Sequence, residues 1–227
     1  MTLLDFPGRV ACTVFLGGCN FRCPYCHNSE LLDGKCEPVM DDEKLLQFLE
    51  KRKGILDGVC ITGGEPTLQP GLPELLRRIK ALGYPVKLDT NGYRPEVLEE
   101  LVNEGLVDYV AMDIKNGPDA YGKTSGVAKM DLSRIERSIR FLTGGAVDYE
   151  FRTTVVDQLH NEESITQMAE WLRNTAQSPI KRLFLQSFVD RDTVMFAGLS
   201  APEDAKMQLF RSILAPCAEM VKIRGID

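Results

Sequence analysis

Basic charge, histidine and long apolar runs are all scarce in this sequence. Lysine and arginine number 27 against 33 aspartates and glutamates, a formal charge of −6. That balance argues against a non-specific nucleic-acid binder, which needs a basic surface. No apolar run approaches the length of a membrane span. The start, Met1-Thr2-Leu3-Leu4-Asp5, lacks the basic residues and apolar stretch of a signal peptide. Only two histidines are present, and no second CxxC or HxxxH pair accompanies the cysteines. The seven cysteines are an odd number without an export signal. A disulfide framework is therefore not expected, and a reduced, cytoplasmic setting is. No Pro/Gly/Ser-rich linker and no fixed-period repeat divides the chain, so residues 1–227 are expected to form one domain.

What is present is a globular composition, 44% apolar and 26% charged, at a length that accommodates a single α/β barrel. Runs rich in β-branched residues predict strands over residues 10–16, 58–62, 86–89, 109–114, 149–156 and 183–188. Residues 221–223 suit a short closing strand. Between the strands the period changes. Leu72, Leu75, Leu76, Ile79 and Leu82 recur at helical spacing, and further helices are predicted over 42–53, 97–102, 135–142, 165–172 and 201–214. Six βα units in alternation imply an α/β fold with parallel strands and helical crossovers.

In parallel α/β folds, sites form where strands end. The first strand here is followed by Cys19, Cys23 and Cys26, and the second by Gly63, Gly64 and Glu65. Asp89, Thr90 and Asn91 close the third, and Asp113 and Lys115 the fourth. The fifth carries Arg152 and Thr154, and the sixth Gln186 and Ser187. A buried unpaired charge is costly. Asp89, Asp113, Lys115 and Arg152 therefore mark either a structural ion-pair network or a site.

Three cysteines crowd into Cys19-Asn20-Phe21-Arg22-Cys23-Pro24-Tyr25-Cys26. Three thiolates in one short loop can hold a cubane iron–sulfur cluster and leave one iron open to a chelating substrate. Zinc with His27 as fourth ligand is the alternative, but His27 is adjacent to Cys26, whereas zinc sites draw on spaced pairs. Cys12, Cys60 and Cys217 lie in apolar surroundings and suit core packing. Cys36 lies in a polar stretch, and His160 stands in a polar loop and is expected at the surface.

The Cys19-x3-Cys23-x2-Cys26 loop, with Tyr25 before the last cysteine and Gly63-Gly64-Glu65-Pro66 after the next strand, resembles the radical S-adenosylmethionine (radical SAM) enzymes. Asp5-Phe6-Pro7-Gly8, Cys26-His27-Asn28, Leu88-Asp89-Thr90-Asn91-Gly92, Met112-Asp113-Ile114-Lys115 and Arg152-Thr153-Thr154-Val155-Val156 extend the likeness to the glycyl radical enzyme activating enzymes. Within that group it is similar to the anaerobic ribonucleoside-triphosphate reductase activating proteins. The resemblance implies a partial, open (β/α)6 TIM-type barrel. It implies one 4Fe–4S cluster on Cys19, Cys23 and Cys26, with SAM on the fourth iron. Tyr25 would lie near the adenine. Gly63, Gly64 and Glu65 would meet the SAM amino group, with Asn91 close by. Lys115 and Arg152 would face its carboxylate or ribose. Asp89, Thr90 and Asp113, with the Ala111 carbonyl, would hold a monovalent cation, Na+ or K+. Asp5 and Gly8 would lie near a substrate peptide, although Phe6 replaces the family's glycine. Gln186 to Phe188 stand where some relatives have a histidine.

The implied reaction is abstraction of hydrogen from a glycine of a partner glycyl radical enzyme. That partner would be an anaerobic ribonucleotide reductase or a pyruvate formate-lyase-like enzyme, with flavodoxin or ferredoxin as electron donor. A radical SAM enzyme for a small molecule or peptide and an inactive zinc-binding module are the other readings. Cys36 alone cannot build a second cluster.

Overall fold

The computed structural model describes residue 2 and residues 5–225; Met1, Leu3 and Leu4, on which the absence of a leader was read, lie outside the described residues. Among the described residues seven strands form one parallel sheet in chain order. They are β1 (Ala11–Leu16), β2 (Gly58–Gly63), β3 (Val86–Thr90), β4 (Tyr109–Asp113), β5 (Asp148–Val155), β6 (Leu183–Ser187) and β7 (Val221–Arg224). β1 does not pair with β7 among the described residues, so the barrel is partial and open. The closing segment expected over 221–223 is a full member of the sheet, in register with β6.

Helices α1 (Asp42–Glu50), α2 (Leu72–Ala81), α3 (Pro95–Asn103), α4 (Pro118–Ser125), α5 (Leu132–Thr143), α6 (Glu162–Thr175) and α7 (Asp204–Leu214) fill the connections. Local chemistry sets their ends. The Asp41 carboxylate accepts the Lys44 N–H at 2.8 Å and starts α1, while Asn161 and Ser164 form a reciprocal cap on α6. α1 stops at Glu50 rather than 53. α7 starts at Asp204 rather than 201, beyond Pro202, and Pro216 turns its end into a 3-10 turn. The short α4 is absent from the sequence expectation. Its apolar pattern is weak and Gly122 interrupts it, but Pro118 opens it and Gly126, at φ +70°, closes it.

Strands in chain order with crossovers of one hand place every helix on the same side of the sheet. The side chains alternate accordingly. Val59, Ile61, Leu88, Val110, Met112, Phe151 and Leu185 point to the helices and pack with Leu76, Ile79, Leu98, Leu101, Ile139 and Leu172 in one buried core. Each such side chain contributes roughly 1.5–3 kcal/mol by leaving water. The register sets Cys60, Lys87 and Tyr109 side by side on the inner face, with Asp113 beside Arg152 and Gln186 beside Arg224. Glu150 is buried there, accepting from the Tyr109 hydroxyl at 3.0 Å and from Arg224 at 3.2 and 3.3 Å. Phe6 packs on Tyr109 and over Gly58, at the start of β4 and β2, and covers the N-terminal ends of the strands.

Arg224→Ala would leave the Glu150 carboxylate buried with Tyr109 alone. It is expected to cost about 1–3 kcal/mol in urea unfolding, because an unsatisfied buried charge keeps its desolvation penalty. An unchanged midpoint would show that β7 does not contribute through this pair.

Candidate active site at the C-terminal strand ends

A cavity of about 270 Å³ opens at the C-terminal ends of the strands. Its lining includes all three clustered cysteines, Tyr25, Gly63, Gly64, Asp89, Thr90, Asn91, Asp113, Lys115, Arg152, Thr154 and Gln186. Residues from five predicted strand ends and one loop therefore meet, as the positional argument requires. Asp5 and Gly8 are not part of that lining. The Asp5 carboxylate accepts from the Thr13 hydroxyl at 2.6 Å, and neighbouring Phe6 sits at the opposite strand ends.

The cysteine loop is clamped by backbone. Gly18 N–H donates to the Leu31 carbonyl at 2.6 Å, Cys19 N–H to Leu32 at 3.1 Å, and Arg22 N–H to Ser125 at 2.9 Å. The Gly63-Gly64 turn lies directly against this loop. Gly64 and Glu65 donate their N–H groups to Leu16 and Gly18, each at 2.8 Å. A Cβ at Gly63 would stand 2.3 Å from the Leu16 oxygen, and one at Gly64 would stand 2.1 Å from the Gly18 oxygen. The chain's own loop therefore demands both glycines before any ligand is considered. Gly126 is required for the same reason, since a Cβ there would meet the Arg22 oxygen at 2.1 Å.

The Glu65 side chain is spent on structure. Wholly buried, it accepts from the Thr67 N–H, the Thr90 hydroxyl at 2.8 Å and the Asn91 N–H at 2.7 Å. Burial pushes its carboxyl upward, against those bonds. Only the backbone of this turn remains for a ligand.

Burial also pushes the Cys19 thiol up to about 11 and raises Cys23, with Lys115 opposing the rise at both. Among the described residues, no group of three His, Cys, Asp or Glu side chains is arranged to hold a single metal ion. The thiols stand around a shared cavity instead, which suits a cluster whose irons each take one cysteine. His27 directs Nε2 to the Val189 carbonyl at 2.7 Å and stacks on Phe188, so that nitrogen is not free for zinc. Among the described residues three buried polar side-chain atoms lack a partner, and two belong to this loop: the Tyr25 hydroxyl and Asn20 Nδ2. Native interiors rarely leave such groups unpaired. An unpartnered hydroxyl at the cavity wall fits a ligand-bound state.

The strand-end charges form an alternating chain. Lys87 pairs with Asp89; Asp89 accepts from Arg152 Nη1 at 3.1 Å; Arg152 Nε donates to Asp113 at 3.0 Å; Lys115 Nζ donates to Asp113 at 2.9 Å. Burial pushes the Asp113 carboxyl up, but Lys115 and Arg152 outweigh it and hold it at about 2. These residues form an ion-pair network, and Asp89, Asp113, Lys115 and Arg152 of it line the cavity.

Two residues behind this site differ from the sequence expectation. Lys87 is 1% exposed, and its signal was its place two residues before Asp89, on the same strand face. His160 is buried, not at the surface. Its Nδ1 accepts the Val156 N–H at 3.1 Å and its Nε2 bonds the Lys115 carbonyl at 2.9 Å, bracing the backbone that carries Lys115. Cys60 and Cys217 are buried, Cys12 packs against the core, and Cys36 is exposed, as expected.

Comparison with known proteins agrees with this geometry. The family model described as the radical SAM superfamily matches residues 13–172. The chain belongs to the radical SAM superfamily. More particularly, it is 33% identical, over 100% of its length and 94% of the relative's, to a Methanocaldococcus jannaschii protein whose name places it among the glycyl-radical enzyme activating enzymes. It is 31% identical to the pyruvate formate-lyase-activating enzyme of Clostridium pasteurianum, over 77% of this chain and 74% of that one. The fold also matches Streptococcus suis SuiB, solved with its precursor peptide SuiA, at a TM-score of 0.72 and 13% identity, over 97% of this chain and 49% of that one.

Because the Cys19 and Cys23 thiols hold their protons, each iron–thiolate bond formed there releases one. Iron binding by the cluster-free chain is therefore expected to tighten as pH rises from about 7 to about 9; a flat profile would show thiols already ionised. Tyr25→Phe removes an unpaired buried hydroxyl and is expected to stabilise the ligand-free chain by about 1 kcal/mol in urea unfolding. A loss of that size would show a bonded hydroxyl.

Proposed function

We propose that this chain is a radical SAM activating enzyme that cleaves SAM reductively and takes hydrogen from a backbone glycine of a partner glycyl radical enzyme. The observation that carries the reading is the meeting of three clustered thiols, an unpartnered Tyr25 hydroxyl and a paired charge chain around one cavity. Cys19, Cys23 and Cys26 would hold one 4Fe–4S cluster and leave its fourth iron to the amino and carboxylate groups of SAM. When bound, the cluster supplies the electron that splits the S–C5′ bond of SAM into methionine and a 5′-deoxyadenosyl radical.

The rest is the protein's work. The carbonyls of Gly63 and Gly64, in the turn that Glu65 anchors, would accept from the SAM amino group, and Asn91 stands at the same wall. Lys115 and Arg152 counter the SAM carboxylate by charge-assisted hydrogen bonds. His160 and the Glu65 anchors fix the backbone beneath them. Tyr25 would face the adenine, and Thr154 and Gln186 complete the wall on the side of β5 and β6. One domain over residues 1–227 would carry all of this in a cytoplasmic, oxygen-poor setting.

That the partner is a glycyl radical enzyme is inferred from the relatives, and its kind from the resemblance of the sequence. An anaerobic ribonucleotide reductase leads, a pyruvate formate-lyase-like enzyme follows, and flavodoxin or ferredoxin would deliver the electron. A second reading, action on a peptide, is supported by the fold shared with peptide-bound SuiB. Asp5 and Gly8, proposed as peptide contacts, would need a substrate that reaches past Thr13 toward the far strand ends.

Anaerobic reconstitution with iron and sulfide, reduction and addition of SAM are expected to yield 5′-deoxyadenosine in the wild type and none in Cys23→Ala. With the right partner a glycyl radical EPR signal should appear. 5′-Deoxyadenosine retained at the wild-type level in Cys23→Ala would overturn the cluster assignment. 5′-Deoxyadenosine without any glycyl signal across both partner classes would favour the peptide reading.

A further inference from the structure

The family resemblance brings a monovalent cation held by Asp89, Thr90, Asp113 and the Ala111 carbonyl. The side chains here do not fit one. Each carboxylate oxygen of the pair is already committed to a cation of the protein. Asp89 Oδ1 takes Lys87 and Asp89 Oδ2 takes Arg152; Asp113 Oδ1 takes Arg152 and Asp113 Oδ2 takes Lys115. The Thr90 hydroxyl donates to Glu65 at 2.8 Å and accepts the Gly92 N–H at 3.1 Å. A Na+ or K+ ion would have to share each of these oxygens with an ammonium or a guanidinium already bonded to it, and like charges that close repel.

The charge count points the same way. Lys87, Arg152 and Lys115 against Asp89 and Asp113 leave one positive charge on the chain of pairs. The nearby Glu150 is answered separately by Arg224. A residual positive charge repels another cation and attracts an anion. Lys87 creates that surplus. It is 1% exposed, and a buried ammonium persists only when it is paired. Because Lys87 and Asp89 are separated by one residue on β3, the strand pleat holds both on the inner face without any loop to order.

We propose that Lys87 is a built-in counter-ion that takes the place of the diffusible monovalent cation, so that this chain binds SAM without Na+ or K+. The inference rests on the SAM reading above. Lys87 acts through Asp89 and Arg152 and is a positioning residue. It neutralises one oxygen of Asp89 and leaves Arg152 shared between Asp89 and Asp113, at the cavity wall.

The test measures SAM affinity of the reconstituted protein by equilibrium dialysis in choline, sodium and potassium chloride at equal ionic strength. Wild-type dissociation constants are expected to agree within about twofold, since screening is constant. Lys87→Met is expected to lose roughly tenfold in choline, about one decade of binding constant, and to recover when K+ or Na+ is added. Lys87→Arg should stay independent of the ion. A wild-type affinity that collapses in choline and returns with Na+ or K+ would overturn the inference. So would a folded Lys87→Met that binds like the wild type in all three salts. Should Lys87→Met fail to fold, the wild-type and Lys87→Arg measurements decide alone, and ion dependence in either overturns it. No SAM binding by the wild type in any salt would instead overturn the SAM reading, and this inference with it.

Discussion

Everything at this site follows from one packing constraint: all six crossovers cover the same side of the sheet, so its inner side has no helices to bury against. Parallel strands are ordinarily apolar on both faces. Here the outer side chains follow that rule, and the inner ones do not. Lys87, Asp89, Asp113, Glu150, Arg152 and Arg224 all occupy inner positions of a sheet whose interior is largely out of water. Charges so placed must find partners. The chain from Lys87 to Lys115 at the upper strand ends, and the Tyr109–Glu150–Arg224 group deeper in the sheet, are the outcome. The upper one reaches the cavity and the lower one ties β7 to the sheet.

The second constraint is backbone contact. The cysteine loop rests so closely on the β2 turn and on the end of α4 that Gly63, Gly64 and Gly126 admit no side chain. This rigidity places three thiols around one cavity before any metal arrives. It also makes the ligand-free state uncomfortable, with buried protonated thiols at Cys19 and Cys23 and unpaired polar groups on Asn20 and Tyr25. A site of this kind is pre-formed at a cost to stability, and ligands recover part of that cost by binding only the folded state.

Substrate choice is a separate matter from this machinery. On the proposed reading the paired charges, the thiols and the glycine turn would address a cluster and SAM, and they would serve any substrate that gives up a hydrogen atom. Fewer residues line the cavity on its other sides. Thr154 and Gln186 line the cavity beside β5 and β6, while Phe15, on edge strand β1, is 56% exposed.

Much of this was legible in the order of residues. The alternation of two periods gave the strands, most helices and the parallel sheet, because hydrophobic spacing is a local property of the chain. The cluster loop was legible because its three cysteines are neighbours in sequence. Asp89, Asp113 and Arg152 were legible because charge inside an apolar strand is conspicuous. α4 was not, since its stability comes from a proline, a left-handed glycine and its contact with the cysteine loop rather than from an apolar face. His160 was misread because the residues beside it are polar, yet its partners, the Lys115 carbonyl and the Val156 N–H, come from the ends of other elements. The role of Glu65 was hidden for the same reason, since it is bound by Thr90 and Asn91 at the end of β3, whereas the pairing of Lys87 with Asp89 was recorded in their spacing along one strand. Sequence by itself determined which groups this protein has and at which strand ends they emerge; only the tertiary structure decided which of them are spent on one another and which remain for a ligand, because hydrogen bonds and ion pairs depend on distances across strands that no spacing along the chain records.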